Sequence, residues 1–208
     1  MVGAEPDSVE WLITAAGVWR SVEPRLAYVF WHWPRPEVAL RDYETKLASF
    51  MRSLNGARPS GLVEALSFRA EAVPWSPAPG RTYEDWYIVE SFHALGVLND
   101  AAVEGETKEP HDSIAKDYQK GAGGILRLVM GDFEPSLARY STWIEKPIGP
   151  PYRSYYGEVS KALGDRKSDL WRRQMVLGPC PQFCVRSAED LDLPASFRPT
   201  VSRLEPIQ

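Results

Sequence analysis

Cysteine and histidine are scarce in this chain of 208 residues, which has only two cysteines and three histidines. Cys180 and Cys184 are too few for the disulfide framework on which small secreted proteins depend. A zinc site would need more ligands beside them, and the histidines lie far away along the chain. We therefore expect both cysteines to be reduced, structural thiols.

Long apolar runs are also absent. No stretch approaches the roughly 18 apolar residues that a membrane-spanning helix needs, and the N-terminus lacks the basic start and apolar segment of a signal peptide. The formal charge of −4, from 24 Lys and Arg against 28 Asp and Glu, argues against a nucleic-acid binder and for neutral or cationic partners. We expect a cytoplasmic protein that binds neither membrane nor nucleic acid.

Several catalytic signatures are missing from the sequence. It contains no Gly-x-Ser-x-Gly elbow, no His-Glu-x-x-His motif and no zinc-ribbon spacing. Gly121-Ala-Gly-Gly124 is not a phosphate loop, because no Lys-Ser/Thr follows it and it leads into a predicted strand instead of a helix. We therefore predict no cofactor, and chemistry that needs none remains open.

Aromatic residues and proline are abundant instead, with 8 Trp, 9 Tyr, 7 Phe and 18 Pro. Aromatic side chains supply large buried areas, and they also line pockets for small organic molecules. The hydrophobic fraction of 44% and the charged fraction of 25% are typical of globular proteins. The sequence thus predicts a folded protein with an aromatic core or pocket.

The first half of the chain shows a β-α-β-β-α-β pattern, which is typical of the ferredoxin-like, or split βαβ, arrangement. The predicted strands are Leu26–Trp33, Leu62–Trp75, Tyr83–Ser91 and Ile125–Met130. The predicted helices are Asp42–Leu54, Phe92–Val103 and Asp112–Lys120. Asn55-Gly56 should end the first helix and the run from Gly121 to Gly124 should end the last.

The rest of the chain resembles a second, degenerate copy of this unit. Tyr140-Ser-Thr-Trp143 echoes Tyr28-Val-Phe-Trp31, and the predicted helix Tyr152–Leu163 echoes Tyr43–Leu54. Further strands are predicted at Leu170–Leu177, Gln182–Arg186 and Thr200–Leu204. We interpret the pattern as an internal repeat, and the alternative is a chance similarity between two aromatic strands. The predicted units are an N-terminal extension at 1–25, a first half at 26–132 and a second half at 138–208.

One segment resembles a known superfamily. Glu90-Ser-Phe92 at a strand end, followed by a helix through Leu98 and Asn99, resembles the third strand and second helix of the dimeric α+β barrel proteins. These include the antibiotic-biosynthesis-type monooxygenases, the EthD-like and NIPSNAP proteins and several haem-handling relatives. The resemblance covers about 26–131 and, more faintly, 140–204.

The resemblance implies an α+β fold in which two ferredoxin-like sheets pair into a barrel. A small-molecule pocket would lie between each sheet and its helices. With two repeats in one polypeptide, this chain would build the whole barrel by itself. The monooxygenase-like helix often carries a histidine near its end, where this chain has Asn99 and Asp100.

His32 is the leading candidate for catalysis. Alternation along the first strand puts Tyr28, Phe30 and His32 on one face and Trp31 on the other. An imidazole beside aromatic walls can act as a general base or orient a substrate oxygen. The alternative is a hydrogen-bonded structural histidine at the edge of a sheet.

A charged pair is the second candidate. Glu90 should share a face with Trp86, and a carboxylate on an apolar sheet needs a partner. Arg127 on the last strand of the first half is the predicted partner, in a pair that is either catalytic or structural. We expect a substrate to be bound by Tyr28, Phe30, Trp31, Trp86, His93 and Trp143.

These observations favour a small-molecule pocket protein, and they allow a cofactor-independent enzyme that acts on an apolar or aromatic substrate. Two alternatives remain open. One is a non-catalytic binding or self-assembly protein, and the other is a haem-binding protein that uses His32 or His93. We expect a monomer or a modest homo-oligomer.

Overall fold

The computed structural model describes residues 25–175 and 178–207. The predicted N-terminal extension, apart from Arg25, lies outside the described residues. Eight strands form one closed barrel in the order β1-β3-β2-β8-β5-β7-β6-β4, and every neighbouring pair is antiparallel. Each helix within 25–175 and 178–207 is too short or too polar to cross a bilayer.

The barrel contains two units of the same strand order. The first consists of β1 Leu26–Pro34, α1 Leu40–Ala57, β2 Leu62–Ala70, β3 Thr82–Val89, α2 Phe92–Ala102, α3 Lys108–Ala115 and β4 Tyr118–Gly131. The second consists of β5 Tyr140–Ile144, α4 Tyr152–Leu163, β6 Ser168–Gln174, β7 Phe183–Ser187 and β8 Thr200–Pro206. The sheet orders β4-β1-β3-β2 and β8-β5-β7-β6 correspond strand for strand. The predicted fold class, ferredoxin-like repeats that form an α+β barrel within one chain, is confirmed.

Helix α1 forms because apolar residues recur at the spacing of one helical face. Tyr43, Leu47, Phe50, Met51 and Leu54 are buried against the sheet. The helix nevertheless continues past the predicted stop at Asn55-Gly56. The Asn55 amide bonds the backbone N–H and carbonyl of Ala65 on β2, at 2.9 and 2.8 Å. This residue therefore ties α1 to the sheet.

The glycine-rich run belongs to a different element from the one that the sequence predicts. The helix expected to continue to Lys120 ends at Ala115, and Gly121 and Gly123 lie within strand β4. A Cβ at Gly121 would lie 2.5 Å from the Phe30 ring, and one at Gly123 would lie 2.6 Å from the Tyr28 hydroxyl. The glycines are there because aromatic rings of the neighbouring strand lie over β4.

The sheet separates an inner core from two outer cores. The inner core fills the barrel and includes Trp31, Trp86, Trp143, Trp171, Cys180 and Cys184. One outer core lies under α1 to α3 and the other under α4. Cys180 and Cys184 are buried free thiols, and burial raises the pKa of Cys180 to about 11 and that of Cys184 well above its usual value.

Candidate active site

His32 lies near the end of β1, on the helix-facing side of the sheet, and is fully buried. Its Nδ1 lies 2.5 Å from the hydroxyl oxygen of Tyr43 on α1. Its Nε2 lies 3.0 Å from Oδ2 of Asp85 on β3, close in distance but outside hydrogen-bond geometry. The carboxylate favours the proton on Nε2, so we assign Nδ1 as the acceptor of the Tyr43 hydroxyl. Catalytic hydrogen bonds often become well aligned only when a ligand is bound.

Asp85 faces the imidazole of His32 across 3.0 Å, and the sequence analysis did not predict it. It is fully buried, lies opposite Phe30 in the β1–β3 register and accepts a hydrogen bond from Tyr87 at 3.0 Å. A signal was present in the sequence. Glu84 and Asp85 are consecutive acids in an aromatic strand, and strand alternation requires one of them on each face.

Tyrosines surround the His32–Asp85 contact. The rings of Tyr43, Tyr83 and Tyr118 lie within 5.8 Å of His32. Burial, as the largest cause, raises the pKa of each of these phenols, and for Tyr43 and Tyr118 the nearby Asp85 raises it further. The phenols therefore stay protonated at neutral pH and act as hydrogen-bond donors.

An aromatic ladder leads along β1 to the buried imidazole. The Tyr28 and Phe30 rings stack at 6.1 Å, and Phe30 stacks on His32 at 5.1 Å. Tyr28 and Phe30 are only half-buried, whereas His32 is fully enclosed. The predicted shared face of these three residues is thus present, and the outer end of the ladder meets solvent.

The three tryptophans predicted to bind substrate lie on the opposite side of the sheet. Trp31, Trp86 and Trp143 belong to the inner core and are fully buried. Glu84 accepts hydrogen bonds from the indole nitrogens of Trp31 at 2.9 Å and Trp86 at 2.7 Å, and from the Ser141 hydroxyl at 2.7 Å. The prediction of one pocket shared with His32 is therefore wrong for these side chains.

A buried cation inside the barrel was also missed. The Arg186 guanidinium lies 4.2 Å from the centroid of the Trp86 ring and donates to the Pro135 carbonyl at 2.7 Å. Asp169 lies opposite Arg186 in the β6–β7 register. Burial raises the pKa of Asp169 to about 6, although Arg186 acts to lower it.

The predicted buried pair of Glu90 and Arg127 is not formed. Both residues are exposed, and no ion pair joins them among the described residues. Strand β3 ends at Val89, and the Glu90 backbone N–H donates to the carbonyl of Gly61, which directly precedes β2. Glu90 therefore lies beyond the apolar face. His93, at the start of α2, is exposed and lies outside the His32 cluster.

The histidines do not fit a haem site. Both ring nitrogens of His32 face protein groups at contact distance, and His93 is exposed. His111 is half-buried, with its Nδ1 3.3 Å from Asp112. Within 25–175 and 178–207, no three His, Cys, Asp or Glu side chains are grouped to hold a metal ion.

Comparison by sequence finds no matching family model and no matching curated protein. Comparison by structure does find similar chains. A protein from Lactobacillus acidophilus NCFM named as a monooxygenase has a TM-score of 0.57 at 10% identity, covering 88% of this chain and 94% of its own. A protein with the same name from Fusobacterium nucleatum subsp. nucleatum has a TM-score of 0.58 at 9% identity, covering 88% and 93%.

A third structure, named as a chlorite dismutase, has a TM-score of 0.51 at 10% identity and covers 88% of this chain and 95% of its own. At identities this low, structural similarity establishes the fold of the chain and nothing about its activity. The likeness extends over both halves, and each half has the ferredoxin-like strand order. The resemblance suggested by the sequence is confirmed at the level of the fold, because this chain shares with these structures an α+β barrel of ferredoxin-like units and carries both units in one polypeptide.

Proposed function

We propose that the protein binds an aromatic small molecule on the helix-facing side of its first half and transfers a proton to or from it without a cofactor. The observation that carries this proposal is the buried chain of contacts from Tyr43 through His32 to Asp85. An imidazole held between a hydroxyl and a carboxylate is the usual arrangement of an oriented general base.

The chain of contacts assigns a role to each residue. The Tyr43 hydroxyl receives the substrate proton as it passes its own proton to Nδ1 of His32. The imidazolium that forms is stabilised by the carboxylate of Asp85, 3.0 Å from Nε2. The raised pKa of Tyr43 favours a relay that returns to the protonated phenol over a stable phenolate. Reversal of the same steps returns the proton to a different atom of the substrate.

The walls of the site support an aromatic substrate. Phe30 and Tyr118 both flank the His32 ring, at centroid distances of 5.1 and 5.0 Å. Gly121 and Gly123 leave the surface of β4 bare beneath the aromatic ladder. A flat ring that displaces Tyr28 or Phe30 would meet backbone and aromatic faces and no competing side chain.

Proton exchange on naphthoresorcinol in deuterated water tests the proposal. The ring C–H between its two hydroxyls exchanges through a keto tautomer, so the reaction needs only an acid and a base. We expect catalysed exchange by the intact protein, and a loss of roughly a hundredfold or more in His32→Gln. His93→Gln is the matched control, because the same substitution there alters an exposed side chain.

Two results would count against the proposal. One is catalysed exchange that survives in His32→Gln while the variant keeps its circular dichroism spectrum. The other is a ring NMR signal of His32 in the intact protein that naphthoresorcinol does not move. The signals of His93 and His111 in the same spectrum provide the internal reference.

A further inference from the structure

The His32 cluster is sealed, because His32, Tyr43 and Asp85 are all fully buried. A substrate therefore needs a route through the covering helices. An open groove of about 660 Å³ lies between α1 and the residues of α3 and its two ends. Its lining includes Lys46, Lys108, Glu109, Lys116 and Asp117. Only the first half has this covering segment, since no α-helix joins β7 to β8 in the second half, whose connecting residues 188–199 are all described.

Two residues of the groove lining lie close along the chain to residues of the His32 cluster. Lys46 follows Tyr43 by three residues on α1, and Asp117 directly precedes Tyr118, whose ring lies 5.0 Å from His32. The charge of Asp117 is one cause of the raised pKa of Tyr43. The Lys46 ammonium and the Asp117 carboxylate are 2.6 Å apart. Both members of this ion pair line the groove.

The two members of this pair differ in exposure. The Lys46 side chain is 38% exposed and that of Asp117 is 14% exposed. At the rim, the Lys108 side chain is likewise more exposed than its partner Asp112. Within each of these ion pairs the ammonium group is therefore the more accessible member. A cationic ligand would have to displace Lys46 to reach the deeper carboxylate, whereas an anionic ligand can bind Lys46 directly.

The other flank of α1 offers a less suitable route. A smaller groove of about 240 Å³ is lined by Arg41, Glu44, Arg69 and Glu205 among others. Arg69 crosses it and pairs with both Glu44 and Glu205. Glu44 also accepts a hydrogen bond from Tyr83 at 3.0 Å, so this side is closed by a connected network.

We propose that the groove between α1 and α3 is the entrance to the His32 cluster and that it admits aromatic compounds carrying a carboxylate. The carboxylate binds Lys46 in place of Asp117, and the ring then reaches Tyr43. Lys116, which has no ion pair among the described residues, adds a further cation along the route. This inference rests on the proposed function and adds the substrate class to it.

The test uses naphthoate and its uncharged counterpart naphthamide as probes of the full chain. Dissociation constants come from titration, and the His32 ring signal is followed by NMR. We expect Lys46→Met to weaken naphthoate binding by roughly three- to tenfold, the size of a partly exposed ion pair, and to leave naphthamide unchanged. Asp117→Asn should tighten naphthoate binding, because it frees Lys46. Lys161→Met on the exposed side of α4 is the matched control.

The outcomes separate this inference from the proposed function. If both probes move the His32 signal but Lys46→Met affects them equally or not at all, the anionic substrate class is wrong and the site remains. If naphthoate binding depends on Lys46 but leaves the His32 signal unmoved, the groove is a surface site and the entrance is wrong. If neither probe moves the His32 signal, the proposed function fails as well.

Discussion

The two halves have the same strand order but differ in the side chains at the position of the His32 cluster. Trp31 pairs with Glu84 in the first half, and Trp143 pairs with Cys184 in the second. Once these two tryptophans are aligned, His32 corresponds to Ile144 and Asp85 to Val185. The fourth residue of the first helix is tyrosine in both halves, namely Tyr43 in α1 and Tyr155 in α4. The second half therefore keeps the phenol and has apolar side chains in place of the imidazole and carboxylate.

The two halves also differ at the glycines of β4, Gly121 and Gly123. Phe30 pairs with Gly123 on β4, whereas the corresponding Thr142 pairs with Val201 on β8. Aromatic rings lie over bare backbone only in the first half, as far as the described residues extend. The polar cluster, the glycines and the covering α3 all occur together there. On its helix-facing side, the second half is a packed apolar layer.

Inside the barrel the contrast is partly reversed. Leu66 pairs with Trp86 in the first half, and the corresponding Asp169 pairs with Arg186 in the second. The second half thus contributes buried charges to the inner core, beside Glu84 of the first half. The comparison teaches that each half has specialised one face of its sheet.

The largest expected effect comes from placing a histidine in the second half. Ile144→His buries an imidazole where the corresponding carboxylate position is Val185 and the surroundings are apolar. We expect the free energy of unfolding to fall by about 3 to 5 kcal/mol, from lost apolar burial and an unsatisfied polar group. Urea denaturation measures it. The double variant with Val185→Asp should recover part of the loss, and no recovery would contradict the correspondence of the two halves.

The second effect concerns the charges inside the barrel. The folded pKa of Asp169 is raised to about 6 from an ordinary value of 3.8. A raised carboxyl pKa stabilises the fold below the unfolded pKa, and this contribution is lost as pH rises through the folded pKa. The unfolding free energy of the parent should therefore fall between pH 4 and pH 6, relative to Asp169→Asn, by about 2 kcal/mol. Equal pH slopes for the two proteins would contradict this account.

The third effect comes from giving β4 the side chain that the second half has at the corresponding position, Val201 of β8. Gly123→Val introduces a side chain whose Cβ would lie 2.6 Å from the Tyr28 hydroxyl oxygen. Overpacking of this kind costs roughly 1 to 3 kcal/mol, which denaturation would reveal. The displaced ladder should also change the response of the His32 ring signal to naphthoresorcinol. Gly157→Ala on α4, where an added Cβ meets nothing within 4 Å, is the control.

The smallest effect distinguishes the two corresponding tyrosines. Tyr43→Phe removes the hydroxyl bonded to His32 and should lower the unfolding free energy by about 1 kcal/mol. The Tyr155 hydroxyl is buried without a hydrogen-bond partner among the described residues, so Tyr155→Phe should be neutral or slightly stabilising. Paired denaturation curves check the difference, and an equal loss in both variants would show that the hydrogen bond at His32 has no special weight.

Periodicity predicted the frame of the molecule well. The alternation along Leu26–Trp33 put Tyr28, Phe30 and His32 on one face, and the spacing from Tyr43 to Leu54 identified the buried side of α1, because each pattern depends only on local geometry. The partners of His32 were not predicted, because Tyr43 and Asp85 reach it from two other elements. The prediction that Gly121 ends a helix was wrong. Glycine is favoured both at the end of a helix and in a strand that a neighbouring aromatic ring covers, and the sequence does not distinguish the two.

Closure of the sheet within one chain has a consequence for how the barrel responds to dilution. Strands β2 and β4 find their outer partners in β8 and β6 of the same polypeptide. In a barrel assembled from two chains, these seams are bimolecular contacts and depend on protein concentration. Here they are intramolecular, so the covalent link supplies a fixed effective concentration. The barrel around the His32 cluster therefore does not come apart into two halves on dilution.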